Sequence, residues 1–405
     1  MPTVVLIGTL DTKGEEYAFV RDRLRAHGVT PLLVDTGVSE PAIDPDVDRH
    51  AVAEAGGASI AALTEAGDRG AAMTAMAEGA ARTVARLHEE GRCDAVLGMG
   101  GSGGTTVATR AMRELPFGVP KMVVSTVASG DTRPYVGASD IAMMYSVVDI
   151  AGINAVSARV LTNAAAAVAA MAGATPPETR EDRPLVAASM FGVTTPAVDA
   201  ARARLEELGY EVLVFHATGT GGQSMESLVR DGYVDGVLDL TTTELCDELV
   251  GGVLSAGPDR LEAAGEAGLP QVVSLGALDM VNFGPRDTVP AQFEDRTLYV
   301  HNPNVTLMRT TPEETAELGR MVAEKLNAAT GPTTVFVPLQ GVSLIATEGQ
   351  PFHDPDADAA LFAALRERLD TDRVELVERD THINDPAFAR EMADALDARL
   401  RAAAT

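Results

Sequence analysis

Phosphate chemistry needs convergent backbone N–H groups, small hydroxyls and a compact positive charge, and two segments of this sequence combine them. Gly8-Thr9-Leu10-Asp11-Thr12-Lys13-Gly14-Glu15 follows the first apolar run and precedes an amphipathic stretch. Glycine lets the backbone approach a ligand, a helix start presents unpaired N–H groups, and Lys13 supplies the charge. A turn capped by Asp11 or Thr12, with Lys13 in solvent, accounts for the same residues. Gly98-Met99-Gly100-Gly101-Ser102-Gly103-Gly104-Thr105 holds five glycines in its first seven residues. Such density exposes successive N–H groups as a concavity suited to phosphate oxygens. No Gly-Lys-Ser/Thr follows, so it is not a Walker A loop, and its spacing differs from the dinucleotide Gly-x-Gly-x-x-Gly. The bland alternative is a tight crossover from strand to helix.

A third segment, Ser125-Thr126-Val127-Ala128-Ser129-Gly130-Asp131-Thr132, offers hydroxyls and one carboxylate, or else a Ser/Thr turn with Asp131 as its cap. Read as one site, Gly100, Gly101, Ser102, Gly103, Gly104 and Thr105 would hold phosphates, with Thr9, Ser129 and Gly130 beside them and Lys13 offsetting the charge. Asp11 or Asp131 would orient a magnesium ion. Asp35, ending the second apolar run, would accept ribose hydroxyls as an acidic residue does there in dinucleotide folds.

A second group of candidates lies further along. His216-Ala217-Thr218-Gly219-Thr220-Gly221-Gly222-Gln223 matches the earlier glycine loops in position. Thr241-Thr242-Thr243-Glu244, His301-Asn302-Pro303-Asn304, Glu348 in the turn 340–349 and Thr381-His382-Ile383-Asn384-Asp385 also follow apolar runs. Strand-end histidines with carboxylates suit acid/base or metal chemistry, so His216, His301, His382 and Glu348 are the candidate catalytic residues.

These segments need a scaffold. Short apolar runs alternate with amphipathic stretches, the βαβα pattern of a parallel sheet covered on both faces. The first half reads as strands Val4–Gly8, Pro31–Asp35, Ala95–Gly98 and Met122–Ser125, with helices Glu15–Ala26, Ala71–Glu90, Thr105–Glu114 and about Ile153–Met171. A Pro-rich charged segment, Thr175 to Pro184, reads as a linker. The second half restarts with strands Leu185–Ser189, Glu211–Phe215 and Gly236–Leu240, and continues near Gln271–Ser274, Thr297–His301, Thr334–Val337 and Val374–Glu378. The halves share wording: Arg21-x-Arg23-Leu24-x-x-x-Gly28 parallels Arg202-x-Arg204-Leu205-x-x-x-Gly209, and Cys93-Asp94-Ala95-Val96-Leu97 parallels Val234-Asp235-Gly236-Val237-Leu238. In open parallel sheets ligands bind beyond the carboxyl ends of the strands. The expected architecture is two doubly wound, Rossmann-like α/β domains, residues 1–178 and 184–405, with a cleft between them.

Composition narrows the partners. The 405 residues carry 32 Lys plus Arg and 59 Asp plus Glu, a net charge of −27, and a pI near 4.5. Such a chain does not coat nucleic acid and is repelled by an anionic membrane. Two cysteines make no disulfide framework or zinc motif, and neither a signal peptide nor a bilayer-spanning run is read, so a cytoplasmic protein is expected. Lysines number three, Lys13, Lys121 and Lys325, in an Arg-rich chain; a retained lysine suits a place needing a compact ammonium.

The first two motifs, with His216 to Gly222 and His301-Asn302-Pro303-Asn304-Val305-Thr306-Leu307-Met308-Arg309-Thr310, resemble the uncharacterised bacterial and fungal family whose best-known plant member is the tomato mosaic virus resistance protein. The resemblance runs over nearly the whole chain and implies a two-subdomain α/β protein that binds ATP with magnesium and forms a homodimer or higher homo-oligomer. The plant relative acts by binding a viral replication protein and carries a further domain that this chain lacks, so that activity is not carried over. The expected function is Mg-dependent ATP binding, with the reaction unassigned. The alternative is an acid/base or metal-assisted enzyme acting on a small carboxylate or carbonyl substrate in the cleft.

Overall fold

A computed structural model describes residues 1–175 and 183–403, so most of the segment read as a linker lies outside the described residues. The chain divides into two compact units, residues 1–178 and 179–405. The amino-terminal unit runs β1 (Thr3–Gly8), α1 (Leu10–Ala26), β2 (Thr30–Asp35), α2 (Arg49–Ala55), α3 (Ile60–Ala66), α4 (Arg69–Glu89), β3 (Ala95–Gly100), α5 (Ser102–Met112), β4 (Lys121–Ser125), α6 (Arg133–Val136), β5 (Ala142–Tyr145) and α7 (Ala155–Ala172). Its five strands form one parallel sheet in the order β2-β1-β3-β4-β5. Successive residues of β1 feed opposite faces: Val5 and Ile7 join the core beneath α2, α4 and α5, and Val4 and Leu6 the one beneath α1 and α7. Strands covered on both sides therefore read as unbroken apolar runs. By length and hydropathy α7 alone among the described residues would suffice to cross a membrane. Here its Leu161, Ala164, Ala165 and Val168 are buried in that second core.

The carboxyl-terminal unit runs β6 (Leu185–Met190), α8 (Thr195–Glu207), β7 (Glu211–His216), α9 (Thr220–Arg230), β8 (Gly236–Thr241), α10 (Glu244–Val250), α11 (Ala263–Glu266), β9 (Gln271–Gly276), β10 (Met280–Phe283), β11 (Leu298–Asn302), β12 (Val305–Arg309), α12 (Pro312–Asn327), β13 (Thr333–Pro338), α13 (Pro355–Arg368), β14 (Val374–Arg379) and α14 (Pro386–Ala403). Six strands make a parallel sheet ordered β14-β13-β9-β8-β6-β7. The strand expected near Thr297–His301 is not part of it. Asn302-Pro303-Asn304 folds into a hairpin, with the Asn304 N–H on Asn302 Oδ1 at 2.9 Å. Strands joined so tightly run antiparallel, which puts β11 in a separate sheet ordered β10-β12-β11.

The shared wording of the halves has a structural counterpart. Counting only the strands of each parallel sheet in chain order, both run second, first, third, fourth, fifth, and the second adds a sixth. Asp94 accepts the Thr3 N–H at 2.6 Å, and Asp235 accepts the Leu185 N–H at 2.6 Å, so each carboxylate fastens the third strand's start to the first. Gly28 and Gly209 both end the first helix at positive φ, 78° and 99°, where a side chain would be strained. The paired motifs are thus the joints of one doubly wound plan used twice.

In the amino-terminal unit the order in which strands are added to the sheet reverses between β1 and β3, which pair only as far as Ile7 and Gly98. Beyond that point the fully buried Tyr17 of α1 reaches into the gap. Its hydroxyl donates to the Ile7 carbonyl and accepts the Met99 N–H at 3.0 Å. A Cβ on Gly8 would sit 2.0 Å from that hydroxyl. Tyr17→Phe should strand the Met99 N–H and the Ile7 carbonyl and cost about 1–3 kcal/mol. A urea midpoint equal to that of the wild type would show that the hydroxyl bridges nothing of consequence.

Candidate functional site

The site begins with the turn between β3 and α5. No side chain caps α5, and its first N–H groups, from Ser102 to Gly104, have no acceptor among the described residues. The glycines divide into two kinds. Gly98 and Gly104 serve packing: a Cβ would lie 2.4 Å from the Ala108 Cβ at Gly98, and 3.2 Å from the Met99 carbonyl at Gly104. Gly101 and Gly103 do not: their nearest neighbours would be 3.7 and 3.5 Å away, and neither has positive φ. A Cβ there would make only ordinary contacts, with Thr126 Oγ1 and Met73 Sδ, so packing does not require glycine beside this uncapped helix start. Thr105 and Ser125 hold this turn from beneath, their buried hydroxyls 2.6 Å apart, and Thr105 Oγ1 also donates to the Gly101 carbonyl.

The other expected contacts are placed as follows. Thr9 precedes α1 with its hydroxyl 2.8 Å from that of Thr12. The helix begins at Leu10, earlier than the expected Glu15, and is broken at Lys13, whose φ is −132°. Lys13 directs its ammonium to the Ile150 carbonyl in the loop after β5. Asp35 is fully buried and accepts the N–H groups of Leu10 and Gly37; burial pushes its carboxyl above the usual range. Asp11 accepts the Ser39 N–H at 3.1 Å. Ser129, Gly130 and Asp131 are exposed, and Asp131 is held below the usual carboxylate range by hydrogen bonds from Arg133, which meets both its oxygens. No group of three His, Cys, Asp or Glu side chains is arranged to hold a metal among the described residues.

In the carboxyl-terminal unit the start of α9, the helix after the second strand, is filled from within. Glu244, fully buried, accepts the N–H groups of Gly219 at 2.7 Å and Gly222 at 3.1 Å. Its other oxygen takes Arg260 Nε at 2.7 Å. Arg260, 1% exposed, also meets both oxygens of Asp239 and one of Glu226. Burial pushes the Glu244 carboxyl up, and Arg260 draws it back. The glycine loop that the sequence likens to an anion cradle thus already holds an anion of its own chain.

His216 and the segment that carries His382 border one loop. The His216 ring meets Phe191 edge-on at 5.6 Å. Two residues on, the Val193 carbonyl accepts from Asn384, next but one to His382, and from the Leu344 N–H. His216 is exposed, whereas His382 is partly buried with Nδ1 unpaired. His301, on the β11–β12 hairpin, and Glu348 are exposed. Among the described residues no hydrogen bond, ion pair or ring contact joins any two of these four.

With that geometry in view, likeness to known proteins is informative. Residues 2–177 match the N-terminal domain, and 183–400 the C-terminal domain, of the uncharacterised protein family UPF0261. A UPF0261 protein of Clostridium tetani is 53% identical over 394 residues, covering 97% of this chain and 98% of that one.

The chain belongs to the UPF0261 family. The ToMV resistance protein Tm-1 of Solanum lycopersicum, the plant relative the motifs suggested, is 41% identical over 420 residues, covering 97% of this chain and 55% of the tomato protein. Among solved structures, UDP-N-acetylglucosamine 2-epimerase from Rickettsia bellii has a TM-score of 0.24 at 13% identity, covering 67% of this chain and 78% of that one.

Two buried acids of this UPF0261 member escape a reading by motif. Asp279, after β9, accepts the Ser343 hydroxyl at 2.7 Å, and burial pushes its carboxyl up to about 6. Asp247 of α10 accepts the Asn282 side chain at 2.6 Å and backbone N–H at 3.0 Å, and burial pushes it up to about 7. An acid raised by folding contributes stability that is full below its unfolded value near 4 and is lost as pH climbs through about 7. The rise from the ordinary value corresponds to roughly 4 kcal/mol. Asp247→Asn keeps the fold, since the unpaired Oδ1 of Asn282 turns to accept the new amide. Urea midpoints of this variant should fall less between pH 5 and 7.5 than those of the wild type; parallel curves would clear Asp247 of the slope.

Proposed function

We propose that the amino-terminal unit binds ATP as its magnesium complex, with the phosphates on the start of α5. The observation that carries this is the start of α5 itself, set against the start of α9, which is also reached from a glycine loop after a parallel strand. The start of α9 is neutralised by Glu244, while that of α5 is uncapped and flanked by glycines that packing does not require. A helix start with free N–H groups favours an anion from solution. ATP as that anion is what the family resemblance implies.

Magnesium keeps most of its waters and asks a protein for one or two carboxylates beside the phosphates. Asp11 fits this, having one buried oxygen without a partner; Asp131, closed on Arg133, fits it less well. When bound, the ion would neutralise phosphate charge. Lys13, at the break in α1 with its ammonium on the Ile150 carbonyl, would offset the same charge, and Ser129 and Gly130 lie on the loop after β4. A second reading, acid/base action on a small carboxylate or carbonyl compound by the carboxyl-terminal unit, is supported by the unpaired Nδ1 of His382.

Calorimetric titration with ATP, with and without magnesium, should show micromolar binding that needs the metal. Gly101→Val sets a branched side chain at the helix start while suiting the extended backbone there. It should weaken ATP at least about thirtyfold, roughly 2 kcal/mol, with thermal stability unchanged. Equal affinity in this variant would remove α5 as the phosphate site. No binding at millimolar ATP would remove the reading.

A further inference from the structure

Phosphates at the start of α5 would add negative charge to a chain that already carries −27, so the cations of the amino-terminal unit matter. Nearly all of them have partners within the chain. Lys13 meets the Ile150 carbonyl, Arg110 meets Glu78 and Glu114, Arg113 donates to the Pro134 and Tyr135 carbonyls, and Arg133 meets Asp131. Among the described residues of this unit only two arginines have no hydrogen bond, ion pair or ring contact, Arg69 of α4 and Arg159 of α7. Both are exposed.

Their places in the fold differ. A Cβ on Gly103, the second residue of α5, would lie 3.5 Å from Sδ of Met73, the fifth residue of α4. Further along the same two helices, Arg110 donates to both oxygens of Glu78, at 2.7 and 2.9 Å. The helices therefore run side by side in one direction and begin at the same edge of the sheet. Residues four apart on a helix lie one above the other on one face, and helical side chains lean toward the helix start. Arg69, four residues before Met73, is thus on the face of α4 turned to α5, one turn or about 5.4 Å nearer the start. That carries its guanidinium beyond Gly103, toward the space that the uncapped N–H groups of α5 face. Arg159 is on the other side of the sheet: Leu161 and Ala164 of α7 belong to one core, Val107 and Ala108 of α5 to the other.

The neighbouring carboxylate does not quench Arg69. Asp68 turns to its own helix, where Oδ1 accepts the N–H groups of Gly70 at 2.8 Å and Ala71 at 3.1 Å. The start of α4 is thereby capped while the arginine beside the cap keeps its donors. A guanidinium offers a planar fork that matches two oxygens of one phosphate.

We infer that Arg69 is the cationic ligand of the phosphates held at the start of α5, reaching them from α4. This rests on the nucleotide reading above.

The test titrates ATP and inorganic tripolyphosphate, each with magnesium, into the full chain and into Arg69→Ala, Arg69→Lys and Arg159→Ala. Arg69→Ala should bind both ligands at least about tenfold more weakly, the loss of hydrogen bonding between charged groups, and by the same factor, because the contact is to phosphate alone. Arg69→Lys keeps the charge without the fork and should fall between Arg69→Ala and the wild type. Arg159→Ala removes the same charge from the far face, where salt screens it over about 8 Å, and should bind as the wild type does. Thermal midpoints of all the variants should match the wild type, since neither arginine bonds to the fold. Wild-type affinity in Arg69→Ala would overturn the assignment and leave the phosphate site standing. An equal loss in Arg159→Ala would make the effect one of net charge, and a loss for ATP with tripolyphosphate unchanged would put Arg69 on the nucleoside; either overturns it. Failure of ATP and tripolyphosphate alike to bind the wild type would overturn both readings.

Discussion

A parallel strand that runs into a helix leaves that helix's first N–H groups pointing past the edge of the sheet, and how their partial positive charge is met sets the character of each half of this chain. In the carboxyl-terminal unit the answer is internal. Glu244 enters the start of α9, Arg260 enters behind Glu244, and Asp239 and Glu226 surround Arg260. Each member needs the next, because a buried charge is tolerated only when paired and hydrogen-bonded. The result is a stretch of sheet edge fixed by one cation shared among three carboxylates. The start of α5 has no such chain behind it, and the surrounding polar groups, Thr105 and Ser125, are neutral and turned toward each other.

That difference bears on how a chain of charge −27 could attract phosphate. The acidic residues are mostly on the surface, and at physiological ionic strength their field is screened over about 8 Å. Free N–H groups act at contact, where screening by salt has little hold. Local geometry therefore counts for more than the global charge at α5, and the same acidity still disfavours nucleic acid, whose recognition depends on many cationic contacts at once.

Much of this was legible in the sequence, and the boundary has physical causes. Strands buried on both faces announce themselves as apolar runs, so β1, β3, β6 and β8 were read close to their observed ends. The repeated Asp94 and Asp235 joints were visible because both units use the same residue for the same task. Pairing direction was not: Leu298–Asn302 looks like any strand until Asn302-Pro303-Asn304 is seen to close a hairpin. Arg260 was not, since Gly257-Pro258-Asp259-Arg260 has the composition of a surface turn and nothing local reveals burial. Tyr17 sits about two turns into α1, where an aromatic is ordinary, and only the separation of β1 from β3 gives its hydroxyl a task. His216 and the segment that carries His382 come to one loop through Phe191 and Val193, a meeting that no spacing along the chain encodes.

The glycines show how sequence and structure divide the labour of inference. Read as a string, the run from Gly98 to Gly104 says only that side chains are absent. Placing a Cβ at each position separates absence required by packing from absence that packing leaves unexplained. Gly98 lies against Ala108, as Gly8 lies against Tyr17 and Gly222 against Glu244, and each of these is accounted for by a neighbour in the fold. Gly101 and Gly103 have no such neighbour and no backbone conformation that demands glycine. Gly103, in the first turn of α5, forgoes the better helix propensity of alanine with no close packing neighbour that requires it. A position that gives up stability and gains nothing from the fold is one whose reason lies outside the fold, and here that reason points toward whatever approaches the start of α5.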